Sequence, residues 1–211
     1  MSDIPLLLFA KAPVAGKVKT RLQSHCSAQQ AADIACLLIQ ASLQNVCKYW
    51  PGKVYLSVWL DHAHPFFQQM LDQYPVTMTQ QCDGDLGEKM RHALNEFGYP
   101  AVVMGCDAPH VSASALRNAY QALQAGRPVI GPSVDGGYYL LGLTQPVDAL
   151  FSAMPWGTSA VLSKTHSAAQ TAGVNLQELE PLNDVDEWDD LLQLAETEES
   201  IRRYLSEQGL R

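Results

Sequence analysis

The sequence predicts an α/β protein on a mostly parallel central sheet with helices on both faces. Three observations carry that prediction. Short apolar runs alternate with stretches of helical periodicity from one end of the chain to the other, the pattern of helices crossing over a parallel sheet. The first run, Ile4 to Ala10, is apolar throughout instead of alternating, as a strand covered on both faces requires. Hydrophobic residues make up 47 % and charged residues 17 % of the 211 residues, ample material for a core. No repeat, low-complexity tract or linker-like stretch divides the chain, so one domain over residues 1–211 is expected.

The elements follow in order. Ile4 to Ala10 is the first strand, and Lys11 to Leu22 is a loop holding Pro13 and Gly16. Ser27 to Lys48 is a helix with Ile34, Leu37, Leu38, Ala41 and Val46 on its apolar face, ended by Pro51-Gly52. Val54 to Leu60 is rich in β-formers and reads as a second strand. His64 to Gln73 is a short helix and Val76 to Thr79 a third strand. Asp85-Leu-Gly-Glu88 is an N-cap with an acid three residues on, opening a helix to about Phe97. Ala101 to Met104 is a buried strand. Ser112 to Ala125 is a helix stopped by Gly126. Pro128 to Ile130 and Tyr138 to Leu143 are strands, Ser159 to Ala172 a helix, Val174 to Leu179 a late strand, and Glu187 onward an acidic helical segment.

Composition excludes several classes. The formal charge is -8, with no broad basic face for nucleic acid. No apolar run reaches the ~18 residues of a membrane span, so neither nucleic acid nor membrane is expected as a partner. The five cysteines include no C-x-x-C pair and their number is odd. Reduced thiols in a cytoplasmic protein fit that better than zinc or disulfides. The start of the sequence lacks a basic region and small-residue cleavage site. Exposed apolar positions in the late hairpin would suit a homodimer, which nothing in the sequence requires.

Four segments offer chemistry. In Ala101-Val-Val-Met-Gly-Cys-Asp107-Ala-Pro109 a lone acid stands at the tip of an apolar strand, where ligands gather in open α/β sheets. A metal bound to phosphate oxygens is its first candidate partner; capping the Pro109 turn is the other reading. The loop Lys11 to Arg21 sets Lys11, Lys17, Lys19 and Arg21 around Gly16. Basic side chains suit phosphate and Gly16 permits close backbone approach, while a solvated loop is the alternative. It is neither a P-loop nor a dinucleotide fingerprint. In Gly131 to Gly142, Asp135-Gly136-Gly137-Tyr138 is either a hairpin turn or a place where the glycines clear room for a ligand, with Asp135 and Tyr138 as polar contacts. The acids of Asn183 to Asp190 either cap the last helix or supply a second carboxylate for a cation. Asp85 reads as an N-cap, with the following Leu-Gly free to pack on a base or sugar. His110 reads as an exposed loop residue.

Taken together, Phe9-Ala-Lys11-Ala-Pro13…Gly16…Lys19-Thr20-Arg21-Leu22, Gly84-Asp85-Leu86-Gly87…Met90, Gly105-Cys-Asp107-Ala-Pro109, Gly131-Pro-Ser-Val-Asp135-Gly136-Gly137-Tyr138-Tyr139-Leu140 and Trp156-Gly-Thr158 resemble the bacterial DUF2064 group. These are also called glycosyltransferase A-like proteins or radical-SAM/selenodomain-associated transferase 1. The resemblance runs from about residue 4 to about residue 191. It implies the nucleotide-diphospho-sugar transferase superfamily and a GT-A-like three-layer α/β/α sandwich. It further implies a nucleotide phosphate site at Lys11, Gly16, Lys19, Thr20 and Arg21, with Asp85 and Gly87 beside it. A divalent metal, Mg²⁺ or Mn²⁺, would sit at Asp107 and Asp186. Gly105 stands where an Asp-x-Asp motif would place its first acid, and Asp186-Glu-Trp-Asp-Asp departs from the related late motif.

The activity the resemblance implies is a metal-dependent glycosyltransferase moving a sugar from a nucleotide-sugar to a small-molecule acceptor. Lys19 and Arg21 would stabilise the leaving group, Asp135 would orient or deprotonate the acceptor, and Gly136, Gly137 and Tyr138 would bind it. A nucleotidyltransferase joining an NTP to a phosphorylated small molecule with release of pyrophosphate is the second reading. A non-catalytic nucleotide-binding protein is the third.

Overall fold

The computed structural model describes residues 3–210. Its centre is a seven-stranded sheet of order β3-β2-β1-β4-β6-β5-β7. The strands are β1 (Leu6–Lys11), β2 (Val54–Trp59), β3 (Thr77–Gln80), β4 (Ala101–Gly105), β5 (Val129–Pro132), β6 (Tyr138–Leu143) and β7 (Gln177–Glu178). β3, β2, β1 and β4 run parallel. β6 is antiparallel to both β4 and β5, and β7 is parallel to β5.

The helices are α1 (Ala28–Tyr49), α2 (Pro65–Gln73), α3 (Leu86–Phe97), α4 (Ala113–Gln124), α5 (Val161–Thr171), α6 (Trp188–Thr197) and α7 (Glu199–Glu207). The two faces of β1 show how they divide. Leu6 and Leu8 pack with residues of α1, α2 and α4, such as Leu43, Phe67 and Leu116. Leu7 between them packs on the other side with Leu94 of α3 and Ala169 of α5. A period-two strand covered on both faces needs apolar residues at every position, which is why the opening run has no alternation. Sheet and flanking helices make the three-layer α/β/α sandwich that the sequence predicts.

Local signals set the helix starts. Ser27 and Asp85 form reciprocal capping boxes with Gln30 and Glu88, and Ser112 caps α4 through the Ala115 N–H; each such cap is worth about 1 kcal/mol.

Three elements differ from the sequence reading. The late strand shrinks to Gln177–Glu178, both exposed, because Leu176 and Leu179 on either side turn into the core. The acidic C-terminal segment is two helices broken at Glu198, whose extended backbone (ψ 105°) interrupts the ladder. The loop after β1 contains a 3₁₀ turn, Thr20–Ser24. That turn buries Leu22 against Ile34 and Leu38 of α1 and against Trp188, Leu191 and Leu205 of the last two helices. This cluster ties the basic loop to the C-terminal segment, two regions far apart in sequence.

Chain order reverses between β1 and β4: β2 and β3 lie on one side of β1, and β4 on the other. The crevice outside the carboxyl ends of strands at such a switch point is where open α/β sheets bind ligands. The Lys11–Arg21 loop leaves β1 there, and Asp107 leaves β4 there.

Candidate functional site

A cavity of about 580 Å³ opens at this switch point. Its Asp107 end is fixed by α1. Buried Ser42 donates to the Cys106 carbonyl at 3.0 Å, and the Asn45 amide donates to the carbonyls of Pro109 and Val111 at 2.9 and 2.7 Å. The late acidic segment is laced onto the sheet. The Leu182 N–H donates to the Pro132 carbonyl and the Val134 N–H to the Leu182 carbonyl, and three residues further on the Val185 N–H donates to the Asp107 carbonyl at 2.9 Å. Val185 is buried in the cluster beneath the basic loop, and the acids on either side of it, Asp184 and Asp186, line the cavity.

Lys19 joins these parts. Its Nζ lies 2.7 Å from Asp107 Oδ1 and 3.2 Å from Asp186 Oδ1, and donates to the Val185 carbonyl at 2.6 Å. Three acceptors satisfy the three N–H donors of an ammonium. The side chain is only 9 % exposed, while the two carboxylates are 44 % and 43 % exposed. Burial by itself lowers the Lys19 pKa, but the Asp107 and Asp186 charges outweigh it and hold the ammonium above the ordinary lysine range. Its backbone is left-handed, φ 44° and ψ 44°, a conformation non-glycine residues adopt at a cost and which clusters at functional sites. Arg21 extends the network outward, 3.3 Å from Asp186 Oδ2 and 3.7 Å from Glu187 Oε1.

Asp184 is the carboxylate that sequence reasoning passed over in favour of Asp186. Its Oδ2 accepts from the Ser133 hydroxyl at 3.0 Å, while its Oδ1 is buried without a partner. Burial pushes its pKa up to about 7; the Ser133 hydrogen bond works the other way, and the nearby Asp107, Asp135 and Asp186 charges add to the rise. The signal was in the sequence: Asp184-Val185-Asp186 alternates polar, apolar, polar, so one extended stretch buries Val185 and turns both acids the other way.

The structure brings Lys11, Lys19, Thr20, Arg21, Asp107, Tyr138 and Asp186 to one cavity. Other residues singled out by sequence are not among its lining. Gly16 sits in the loop's turn at φ +76°. Asp85 caps α3. Gly87 underlies the Trp156 indole, whose Cζ2 would lie 2.6 Å from an added Cβ. Asp135 Oδ1 accepts from the Gly137 N–H at 2.9 Å, closing the hairpin turn. Gly136, at φ +91°, lies against the Ser159 backbone, so its lack of a side chain serves chain packing. His110 is exposed on its loop. On the β2–β3 side the lining includes Leu86, which the sequence offers for packing on a base or sugar, together with Trp59, Gln81 and Lys89, none of which sequence reasoning named as a contact.

The donor set suits a hard divalent cation. Among the described residues no three or more His, Cys, Asp or Glu are gathered as a metal centre. One or two carboxylates plus substrate phosphates is, however, the common arrangement for Mg²⁺. Asp107 and Asp186 already share a cation in Lys19, and Asp184 Oδ1 beside them has no hydrogen-bond partner.

The fold and crevice define the class, an α/β protein of the nucleotide-diphospho-sugar transferase fold. A family model described as "Uncharacterized protein conserved in bacteria (DUF2064)" matches residues 42–158, more than half of the chain, and the chain belongs to that family. A protein of Desulfovibrio desulfuricans G20, provisionally designated a nucleotide-diphospho-sugar transferase, is similar in structure with a TM-score of 0.77. It is 27 % identical, over 97 % of this chain and 99 % of that one. The fold is shared more distantly with Rv0371c of Mycobacterium tuberculosis H37Rv in complex with manganese (TM-score 0.55, 18 % identity, 93 % and 100 % covered). It is also shared with CMP:2-keto-3-deoxy-manno-octonic acid synthetase complexed with CTP (TM-score 0.59, 12 % identity, 99 % and 100 % covered). Among curated proteins none matches the sequence.

Proposed function

We propose that the protein is a nucleotide-dependent transferase that moves a sugar from a nucleotide-sugar to a small-molecule acceptor with the help of a divalent cation. The observation that carries this reading is the 2.7 Å contact between Lys19 of the basic loop and Asp107. It supports the reading because a basic loop suited to phosphate and a carboxylate suited to a cation meet in one crevice at the switch point. The designation of the Desulfovibrio protein supports the same class.

Roles follow from position. Asp107 and Asp186 would hold Mg²⁺ or Mn²⁺, with Asp184 beside them. The ion when bound supplies Lewis-acid stabilisation of a leaving diphosphate. Lys11, Thr20 and Arg21 bind the phosphates, and Lys19 holds positive charge where negative charge develops. Asp135 has no crevice contact to support a role as acceptor base. Asp184 is in the crevice, and a carboxylate near neutrality suits proton transfer at physiological pH. Tyr138 lines the acceptor side. Among the described residues no helix is long and apolar enough to cross a membrane. Homodimer formation through the β5–β6 hairpin, whose tip residue Val134 is 68 % exposed, belongs to the same reading.

A second reading, nucleotidyl transfer from an NTP to a phosphorylated acceptor, is favoured by one observation. Five cationic side chains, Lys11, Lys17, Lys19, Arg21 and Lys89, line the cavity, and a triphosphate carries the charge to match them. Thermal melting with sugar nucleotides and with NTPs, each with Mg²⁺, separates the two. A ligand at 100 times its Kd adds about 2.7 kcal/mol, or about 5–10 °C in a protein of this size. Sugar-nucleotide stabilisation without NTP stabilisation is the expected result; NTP stabilisation with pyrophosphate release establishes the second reading. No shift with either class refutes both.

A further inference from the structure

The crevice has a second charged wall that the ion network around Asp107 does not use. Lys89 lies in the first turns of α3, and its Nζ sits 3.3 Å from the centroid of the Trp59 ring. Both side chains line the crevice together with Lys11, Gln81 and Leu86. Trp59 ends β2 and Gln81 follows β3, so this wall lies on the opposite side of β1 from Asp107.

The charge balance of the two walls differs. Lys19 and Arg21 are already matched by Asp107, Asp186 and Glu187. Among the described residues neither Lys89 nor Lys11 forms an ion pair. Lys11 Nζ donates to the Lys17 carbonyl at 2.6 Å, which orients it and neutralises nothing. A cation near a helix N-terminus also opposes the helix dipole, and the Trp59 face offsets that cost. Two cations without an ion-pair partner on one wall of a concave site, one of them set on an aromatic face with Asp83 and Asp85 acting on it only at longer range, suit an anion.

The geometry points to a second anion subsite in which Lys89, with Lys11, binds a phosphoryl group on the Trp59 side of the crevice. This rests on the reading of the crevice as a nucleotide site and deepens it. Lys89 is then the principal free phosphate ligand, while Lys19 organises the carboxylates. Lys89 leaves the Trp59 face, or tilts on it, to meet phosphoryl oxygens in charge-assisted hydrogen bonds. The phosphoryl group belongs to the nucleotide or to a phosphorylated acceptor.

The test is calorimetric titration of the wild type, Lys89→Met and Lys89→Arg with inorganic pyrophosphate and with UDP, GDP, CDP and ADP. A second arm uses glycerol 3-phosphate after saturation with whichever diphosphate binds. Lys89→Met keeps the stem on Trp59 and removes the charge. Its expected effect is at least a tenfold loss of affinity, the scale of one charge-assisted hydrogen bond, with Lys89→Arg within about threefold of wild type. The melting temperature of Lys89→Met should stay close to that of wild type, since the lost cation–π contact and the relieved helix-dipole contact oppose each other. Loss with the diphosphates assigns the subsite to the nucleotide; loss confined to glycerol 3-phosphate assigns it to the acceptor. Unchanged affinity of Lys89→Met for every probe overturns the subsite and leaves the nucleotide reading standing. Failure of the wild type to bind any probe overturns both.

Discussion

Replacing Lys19 by Met isolates the contact on which the site is built. Met retains most of the stem and removes the ammonium that Asp107, Asp186 and the Val185 carbonyl share. Breaking a fully buried pair costs about 3–5 kcal/mol, and losing an exposed one costs under about 1 kcal/mol. Lys19 is 9 % exposed but its partners are 44 % and 43 % exposed, so water hydrates the carboxylates left behind. The expected loss lies between these limits, about 2 kcal/mol, part of it the lost bond to Val185. In a chain of 211 residues that lowers Tm by about 4–8 °C.

The pH dependence has a definite sign. Lys19 is held above its ordinary value of 10.5, so its stabilisation is fully present below 10.5 and fades only as pH rises through the higher folded value. The gap between wild type and Lys19→Met is therefore flat from pH 6 to 9 in thermal or urea unfolding. A variant as stable as wild type at pH 7, or a gap that closes between pH 6 and 9, refutes the reasoning.

Three further outcomes are expected. Asp184→Asn stabilises the protein at pH 8 by up to about 4 kcal/mol, because the folded state holds this carboxyl's proton up to about 7 and ionising it above that is unfavourable. The advantage shrinks as pH falls toward 5, and differential scanning calorimetry at the two pH values checks it. Gly136→Ala costs more than about 2 kcal/mol, since φ is +91° and the new Cβ meets the Ser159 backbone; a neutral effect in urea unfolding would mean that the turn relaxes freely. Gly87→Val drives a side chain into the Trp156 indole, and equilibrium unfolding should show a loss of about 1–3 kcal/mol typical of overpacking.

The layer architecture was legible because periodicity reports burial directly. Ile4 to Ala10 and Ala101 to Met104 are apolar at every position, and both form strands buried on two faces. The capping box at Asp85 was equally readable, since its partner Glu88 is local. What was not legible depends on contacts between distant segments. The 3₁₀ turn at Thr20–Ser24 exists because Leu22 packs on α1 and the last two helices, which no local window reveals. Gln177–Glu178 is a strand only through pairing with β5.

The site divides along the same line. Lys19, Arg21, Asp107 and Asp186 stand out as charges beside apolar runs or turns, and the fold gathers them into one ion network. Asp135 and the two glycines carried the ambiguity of every Asp-Gly-Gly segment, and the structure gives them the work of a turn. Asp184 and Lys89 were unremarkable in sequence because their chemistry comes from what surrounds them. One is a carboxylate with an oxygen sealed from water, and the other an ammonium set on a tryptophan that arrives from another strand.

The most direct test of the central claim is titration of Mn²⁺ into wild type and Asp107→Ala by electron paramagnetic resonance, each with and without a nucleoside diphosphate. The diphosphate should tighten Mn²⁺ binding in wild type, and Asp107→Ala should weaken the ternary complex at least about tenfold, the loss expected when a charged ligand is removed. Equal Mn²⁺ affinity in the two proteins, with the diphosphate present, would contradict the claim.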